Sequence, residues 1–302
     1  MRRLRHVLLM CICLMLWVFP ALGETLAPLP MDITVHGAEP DSAGWISETE
    51  YQDPSIHMSM EVVRVRPKNS AGSVDCHIVR IRIQDPSQMR TALSYDQYDD
   101  TRLARPLAMY RASNAVVACN SDFVKYTYRK GYVVKQGVLY RDDLDGSRDI
   151  LVVDDRGDFS VVFKADHDAM QAHLREMEEA GRQVVNTFSF GPCLVLNGEI
   201  QDTEARQFES HLAVQRMTVA QIGELEYAIV EVDGGDGKGM PLRDVAQFIL
   251  EHFPDCRVAY NLDGGGSTHL MMNNRVVHET PGSRTISDIL YFATLMPGQK
   301  TE

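Results

Sequence analysis

Residues 261–268 read Asn-Leu-Asp-Gly-Gly-Gly-Ser-Thr and close an apolar, strand-like segment, Cys256-Arg257-Val258-Ala259-Tyr260. Three consecutive glycines lose much backbone entropy on folding, so they are expected where a Cβ would block a turn or the approach of a ligand to the backbone. A carboxylate precedes them and two hydroxyls follow. Asp263 can act as base or nucleophile, Gly264, Gly265 and Gly266 can offer N–H groups, and Ser267 and Thr268 can donate hydroxyls, all toward an anionic or sugar-like group. An Asp-Gly pair is also a common hairpin turn, and a polar glycine-rich stretch can simply join two strands. No Lys followed by Ser or Thr comes after the last glycine, which excludes a P-loop, and the spacing is not that of a dinucleotide-binding turn. The next residues, 269–277, read as strand, Asn273-Asn274 turn, strand.

Much of the remaining chain reads as strands. In His77-Ile78-Val79-Arg80-Ile81-Arg82-Ile83, Val79, Ile81 and Ile83 fall on one face and Arg80 and Arg82 on the other, which predicts a half-exposed strand. Further strands are expected at 61–65, 115–119, 131–134, 150–153, 159–163, 187–190, 217–222, 227–232, 257–262 and 288–293. Two helices are expected among them. One is capped by Asp166, carries Met170, Leu174 and Met177 on one face and ends at Gly181. The other runs from Pro241 to Phe253, with Leu242, Val245, Ala246 and Ile249 at helical spacing and Pro254 closing it. The fold class expected is α+β, a single β-rich domain with a large mixed or antiparallel sheet system and helices packed on it.

The first residues set the expected compartment. Arg2, Arg3 and Arg5 precede an apolar run from Val7 to Phe19, and Ala21 and Gly23 supply small residues for cleavage before Glu24. This is the pattern of a secretory signal peptide over 1–23, too short to span a bilayer, and it predicts a secreted or periplasmic protein with no membrane span in the mature chain. Residues 24–45, rich in proline and without apolar periodicity, read as a tether or partly ordered arm before a domain at 46–297 and a tail at 298–302. The net charge is −12, and the leader carries only basic charge, so the mature chain is more acidic still. Nucleic acid and anionic membrane surfaces are thereby excluded as partners, since both require a basic footprint. Four cysteines remain, Cys76, Cys119, Cys193 and Cys256. They can form two disulfides in any of three connectivities or stand as small buried hydrophobes, and their apolar surroundings favour the second. The cluster Asp142, Asp143, Asp145 and Asp149 around Gly146 departs from the calcium-loop spacing and reads as a solvated turn. Arg156-Gly157-Asp158 reads as a turn between strands. No cofactor is called for, while a divalent ion such as calcium stays compatible with these residues.

Several separated segments share one resemblance. They are Ala118-Cys119-Asn120-Ser121-Asp122-Phe123, Gly191-Pro192-Cys193-Leu194-Val195 with Gly198, Arg216 to Gln221, Val232-Asp233-Gly234, the Asp263 loop, and Arg284 to Leu290. In order and spacing they are similar to the phosphodiester glycosidase family, from about residue 47 to about residue 293. Three positions depart from it: Ser121 where the family usually has Gly, Ala220 where it has Gly, and His278 where it has Asn.

The resemblance implies cleavage of a sugar 1-phosphodiester at the C1–O bond, releasing free sugar and a phosphomonoester, in envelope or exopolysaccharide metabolism. Such a leaving group is already acidic, so holding its phosphate matters more than protonating its oxygen. Arg216 and Arg284 are the expected phosphate ligands, and Asp263 and Asp233 the carboxylates, with the division of nucleophile and base between them left open. Asn120, Asp122, Gly191, Asn261, the 264–268 loop, His278 and Asp288 are expected to line the substrate site. The expected partner is therefore a sugar-1-phosphodiester or another phosphate-containing glycan. Two other readings remain open from sequence: a glycan-binding or polymer-assembly factor without turnover, and a phosphodiesterase that cleaves P–O. The sequence is silent on oligomeric state.

Overall fold

A computed structural model describes residues 26–125, 130–203, 210–278 and 282–298. The signal-peptide reading over 1–23 and most of the tail expected at 298–302 lie outside the described residues. Among the described residues every strand pairing is antiparallel. The largest sheet has nine strands, and its centre runs Val258–Leu262, Arg216–Gly223, Glu226–Val232, Val74–Ile83, Ile56–Val65. A five-stranded sheet contains Leu270–Met272, Ala115–Asn120, Asp288–Ala293 and Met89–Leu93, and a three-stranded sheet contains Phe159–Val162, Ile150–Asp154 and Val184–Phe188.

Alternation decides how these sheets stack. Met217 and Val219 point, with Val79 and Ile229, into a core shared with Val117 and Leu290 of the five-stranded sheet and Leu151 and Phe188 of the three-stranded one. The opposite face presents Ala220, Ala228 and Val230 to Val245 and Ile249 of the helix Leu242–His252. Small side chains at Ala220 and Ala228 let that helix sit close. This face explains why Ile78, next to the expected exposed arginines, is itself buried: the strand Val74–Ile83 is covered on both sides at one end and open at the other. The architecture is the α+β fold expected, with the large sheet central.

The helix His167–Glu179 starts where expected: Asp166 Oδ1 accepts from the Ala169 N–H at 2.8 Å, and the chain turns out through Gly181 at φ +65°. Its Met170 and Met177 are buried against the three-stranded sheet, each burial stabilising by roughly 1.5–3 kcal/mol. A third helix, Pro106–Ala112, carries no long apolar stripe in sequence and packs Met109 and Tyr110 on the five-stranded sheet. The strand Met89–Leu93 is buried at all five positions, so it shows no alternation by which to be read.

Two loop readings are corrected. The segment after residue 25 is not a tether: Leu26–Ala27 pairs with Met296–Pro297, Leu29 is buried, and the buried Arg90 guanidinium donates to the carbonyls of Pro30, Asp32 and Val35. A buried guanidinium needs several acceptors, and an irregular arm has unpaired carbonyls to give. In the Asp142–Asp149 turn, Asp149 is not solvated; it is buried and accepts from the Lys164 and Cys193 N–H groups. Cys76, Cys119, Cys193 and Cys256 are buried thiols rather than disulfides, and burial pushes the Cys76 and Cys256 thiols up to about 12.

Candidate active site

The glycine triplet lies at one end of the large sheet, immediately after the strand Val258–Leu262. At Gly264 and Gly266 the backbone leaves no room for a side chain, while at Gly265 it is the left-handed φ that favours glycine. A Cβ on Gly264 would stand 2.8 Å from the Gln215 carbonyl oxygen, one on Gly266 would stand 2.6 Å from that of Gly282, and Gly265 has φ +58°. The loop is thus threaded between two other segments, and only glycine permits that approach. Below it, the hairpin Leu270–Met272/Arg275–Val276 turns through Asn273 and Asn274, both at positive φ, as two-residue hairpins require.

Asp263 is held at the rim of this loop. Its Oδ1 accepts from the Gly264 N–H at 3.0 Å, and Nη2 of Arg284 lies 3.6 Å from its Oδ2. Arg284 in turn donates from Nε to Ser267 Oγ at 2.7 Å. Burial raises the Asp263 carboxyl to about 6, against the Ser267 hydroxyl, Arg284 and the Gly264 N–H, which all lower it. A carboxylate poised in this range can carry or release a proton near neutrality.

Pairing register brings the second carboxylate to the same end. Met217 faces Leu262 on one side, and Arg216 faces Val232 on the other. Asp263 and Asp233 therefore continue two strands separated by a single strand, with Cα atoms about 10 Å apart by strand spacing. The segment after the hairpin passes both: His278 Nε2 lies 2.9 Å from Asp233 Oδ1, and Arg284 reaches Asp263. Asp233 also accepts from the Gly234 N–H.

Arg216 stands between the two acids in strand register and is buried. Its Nε donates to the Met240 carbonyl at 3.1 Å and its Nη2 to the Leu212 carbonyl at 3.0 Å, and it is 5% exposed. Through these bonds the guanidinium ties the loops at Met240 and Leu212 to the sheet. Arg284 differs, with a side chain 53% exposed.

Several residues expected to touch substrate are bonded to other protein groups. Asn120 is shut from solvent, donates from Nδ2 to the Asp263 carbonyl and accepts the His269 N–H on Oδ1. Asp288 is fully buried, 3.4 Å from Lys135 Nζ, and accepts the Asp122 N–H, while Asp122 accepts the Ser189 N–H. Burial raises the Asp122 carboxyl. Asn261 Nδ2 donates to the Gly191 carbonyl, next to the cis Gly191–Pro192 bond, and Thr268 is buried. Asn120, Asp122, Gly191, Asn261, Thr268 and Asp288 are thus buried, and Asn120 bonds directly to the backbone that presents Asp263. His269 belongs with them: Nδ1 donates to the Ser267 carbonyl, and Nε2 lies 2.8 Å from Ser283 Oγ.

Sequence reading passed over one feature of the site. Glu231, on the strand that ends at Val232, is 1% exposed, and its Oε2 lies 2.8 Å from Nδ1 of His77 on the adjoining strand. Neither group makes a well-directed hydrogen bond, so the contact is one of charge. The His77 ring lies over that of His278, centroids 6.2 Å apart and 20° from parallel. The signal for it in sequence was a glutamate at a position where Tyr227 and Ile229 set a core-facing alternation.

The sequence profile of the phosphodiester glycosidase family matches residues 113–293, more than half of the chain. No curated protein matches the chain by sequence. Among solved structures, the zebrafish N-acetylglucosamine-1-phosphodiester α-N-acetylglucosaminidase catalytic domain, auto-inhibited by its pro-peptide, aligns at a TM-score of 0.63 and 18% identity. The alignment covers 89% of this chain and 96% of that one, and it shows a shared fold. A hypothetical protein from Synechocystis aligns at 0.49 and 12% identity, over 78% of this chain and 62% of its own.

Proposed function

Because this chain belongs to the phosphodiester glycosidase family, we propose that it hydrolyses the C1–O bond of a sugar-1-phosphodiester outside the cytoplasm, in envelope or exopolysaccharide metabolism. The observation that carries this reading is the Asp263–Arg284 pair, which sets a carboxyl raised to about 6 beside a half-exposed guanidinium at a glycine-built rim. A carboxylate serves the anomeric carbon, and the guanidinium serves the phosphate that leaves it.

In this mechanism Asp263, as carboxylate, attacks C1 or takes the proton of the water that does. The C1–O bond breaks with its electron pair passing to the phosphate oxygen. Water supplies OH to the sugar and H⁺ to solution, and the phosphomonoester departs as an anion held by Arg284. The departing oxygen needs no strong acid, which fits a site whose exposed cation is an arginine. Asp233, oriented by His278, is the second carboxylate, placed to guide water or the sugar hydroxyls.

Product analysis tests the reading. The zebrafish protein's name gives N-acetylglucosamine-1-phosphodiester as its substrate class, and such a compound is the first to try. Free sugar plus phosphomonoester is the expected outcome. Sugar 1-phosphate would mean P–O cleavage, and binding without turnover would mean a glycan-binding protein.

A further inference from the structure

Beside Arg284 the structure holds a cavity of about 360 Å³. Arg284, Ser283 and Thr285 form one wall, and Arg105, Pro106 and Leu107 form the other. The walls are joined by a two-way backbone bridge: Ala104 N–H donates to the Ile286 carbonyl at 3.1 Å, and Ile286 N–H returns to the Ala104 carbonyl at 3.0 Å. That bridge sets Arg105 opposite Thr285, one residue from Arg284. Arg284 therefore belongs to both spaces, since it touches the Asp263 site and also lines this cavity.

Arg64, Arg80, Arg82, Arg102, Arg182, Arg257 and Arg275 each lie within ion-pair distance of a carboxylate, as expected in a chain of net charge −12. Arg105, like the exposed Arg66, Arg156 and Arg243, has no carboxylate within ion-pair distance among the described residues, and of these it is Arg105 that lines the cavity. An unpaired guanidinium in a concave, partly apolar space is suited to a ligand anion, since the apolar wall lowers the local dielectric around the pair.

We propose that this cavity is the subsite for the group beyond the phosphate, and that Arg105 recognises a second negative charge on it. The substrates preferred would be sugar-1-phosphodiesters whose leaving group carries a further carboxylate or phosphate on a short body, with carbon atoms resting on Pro106 and Leu107. This rests on the phosphodiester glycosidase reading for the meaning of the subsite, but its binding chemistry can be tested without turnover.

The test compares product-like anions by calorimetry on the whole protein, at constant ionic strength. Glycerol 3-phosphate carries the phosphate alone; 3-phosphoglycerate adds a carboxylate, and propane-1,3-diol bisphosphate adds a phosphate. Wild-type protein is expected to bind at least one of the two doubly anionic probes about ten-fold more tightly than glycerol 3-phosphate, the scale of one charge-assisted hydrogen bond. Which of the two it is identifies the second anion. Arg105→Gln is expected to abolish that preference while leaving glycerol 3-phosphate binding in place, and Arg284→Gln is expected to weaken all three. Equal binding of all three probes by wild type, no binding of any, or a preference that survives Arg105→Gln would each overturn the subsite. Hydrolysis of sugar-1-phosphodiesters is measured separately, so absent turnover with an Arg105-dependent preference would sink the glycosidase reading and leave the subsite standing.

Discussion

His278 holds Asp233, with Nε2 of the ring 2.9 Å from Oδ1 of the carboxylate. The family usually has asparagine at this position, and the substitution keeps a donor for the acid while adding a ring that lies over His77.

The first prediction follows from that contact. His278→Asn retains a donor to Asp233 and should leave kcat/KM on a sugar-1-phosphodiester within about three-fold of wild type, whereas His278→Ala should lower it roughly ten-fold or more, the scale of a hydrogen bond to a charged group. Steady-state kinetics on both variants decide it; equal losses would mean that Asp233 does not depend on this donor.

Asp263→Asn should remove activity by at least ~10²-fold, as losing a general base or nucleophile does. Wild-type activity should also fall as pH drops through about 6, where the carboxyl takes up its proton. The effect on stability has the opposite sign. The folded-state pKa lies above the usual 3.8, so the folded protein binds this proton more tightly than the unfolded chain does. The cost to stability then builds as pH rises from the unfolded value and is complete once pH exceeds the folded one, at roughly 1–4 kcal/mol. Melting curves at low and high pH should show Asp263→Asn gaining on wild type as pH rises through about 6. An inactive variant that gains nothing would show that the buried charge is compensated elsewhere.

Lysine substitutions separate the two motif arginines. Arg284→Lys keeps the charge but loses the planar fork, and should weaken transition-state binding of a phosphodiester by about 1–3 kcal/mol with little change in melting. An aryl glycoside lacking the phosphate, if it is turned over, should be affected much less. Arg216→Lys should instead lower the melting temperature, because one ammonium cannot reach both the Met240 and Leu212 carbonyls as the guanidinium does. A fully stable Arg216→Lys protein with a phosphate-specific loss would return Arg216 to the phosphate.

The Glu231–His77 contact predicts a pH-dependent contribution to stability. Burial alone would lower the His77 pKa, but Glu231, with Asp233 and Asp75 behind it, outweighs burial and raises it. A histidine whose folded pKa is raised adds stability that is fully present below its unfolded pKa and fades as pH rises through the folded one. The melting deficit of Glu231→Gln relative to wild type should therefore be larger near about pH 5.5 than near about pH 8.5. A deficit independent of pH would mean that the pair carries no proton on folding.

Local physics made part of this protein legible in its sequence. Alternation located the strand at 77–83 because its arginine face opens to solvent at one end, Asp166 and Gly181 bracketed a helix because caps act within one turn, and the glycine triplet marked a close approach of backbones that Gly264 and Gly266 do make. The acids Asp263 and Asp233 also stand where those strands end. What residue types could not determine is which polar group faces the cleft. Arg216 and Arg284 look alike in their motifs, but the loops at Leu212 and Met240 bring unpaired carbonyls to the first and leave the second half open. Asn120 and Asp288 look like cleft residues at strand ends, yet both are buried, Asn120 against the Asp263 carbonyl and Asp288 beside Lys135. Glu231 and His77 lie far apart in the chain and meet only because their strands are neighbours in the sheet. Sequence fixes the chemistry that a side chain can perform, whereas exposure and partners depend on which distant backbone groups packing leaves unsatisfied, and that is set only when the sheets close on one another.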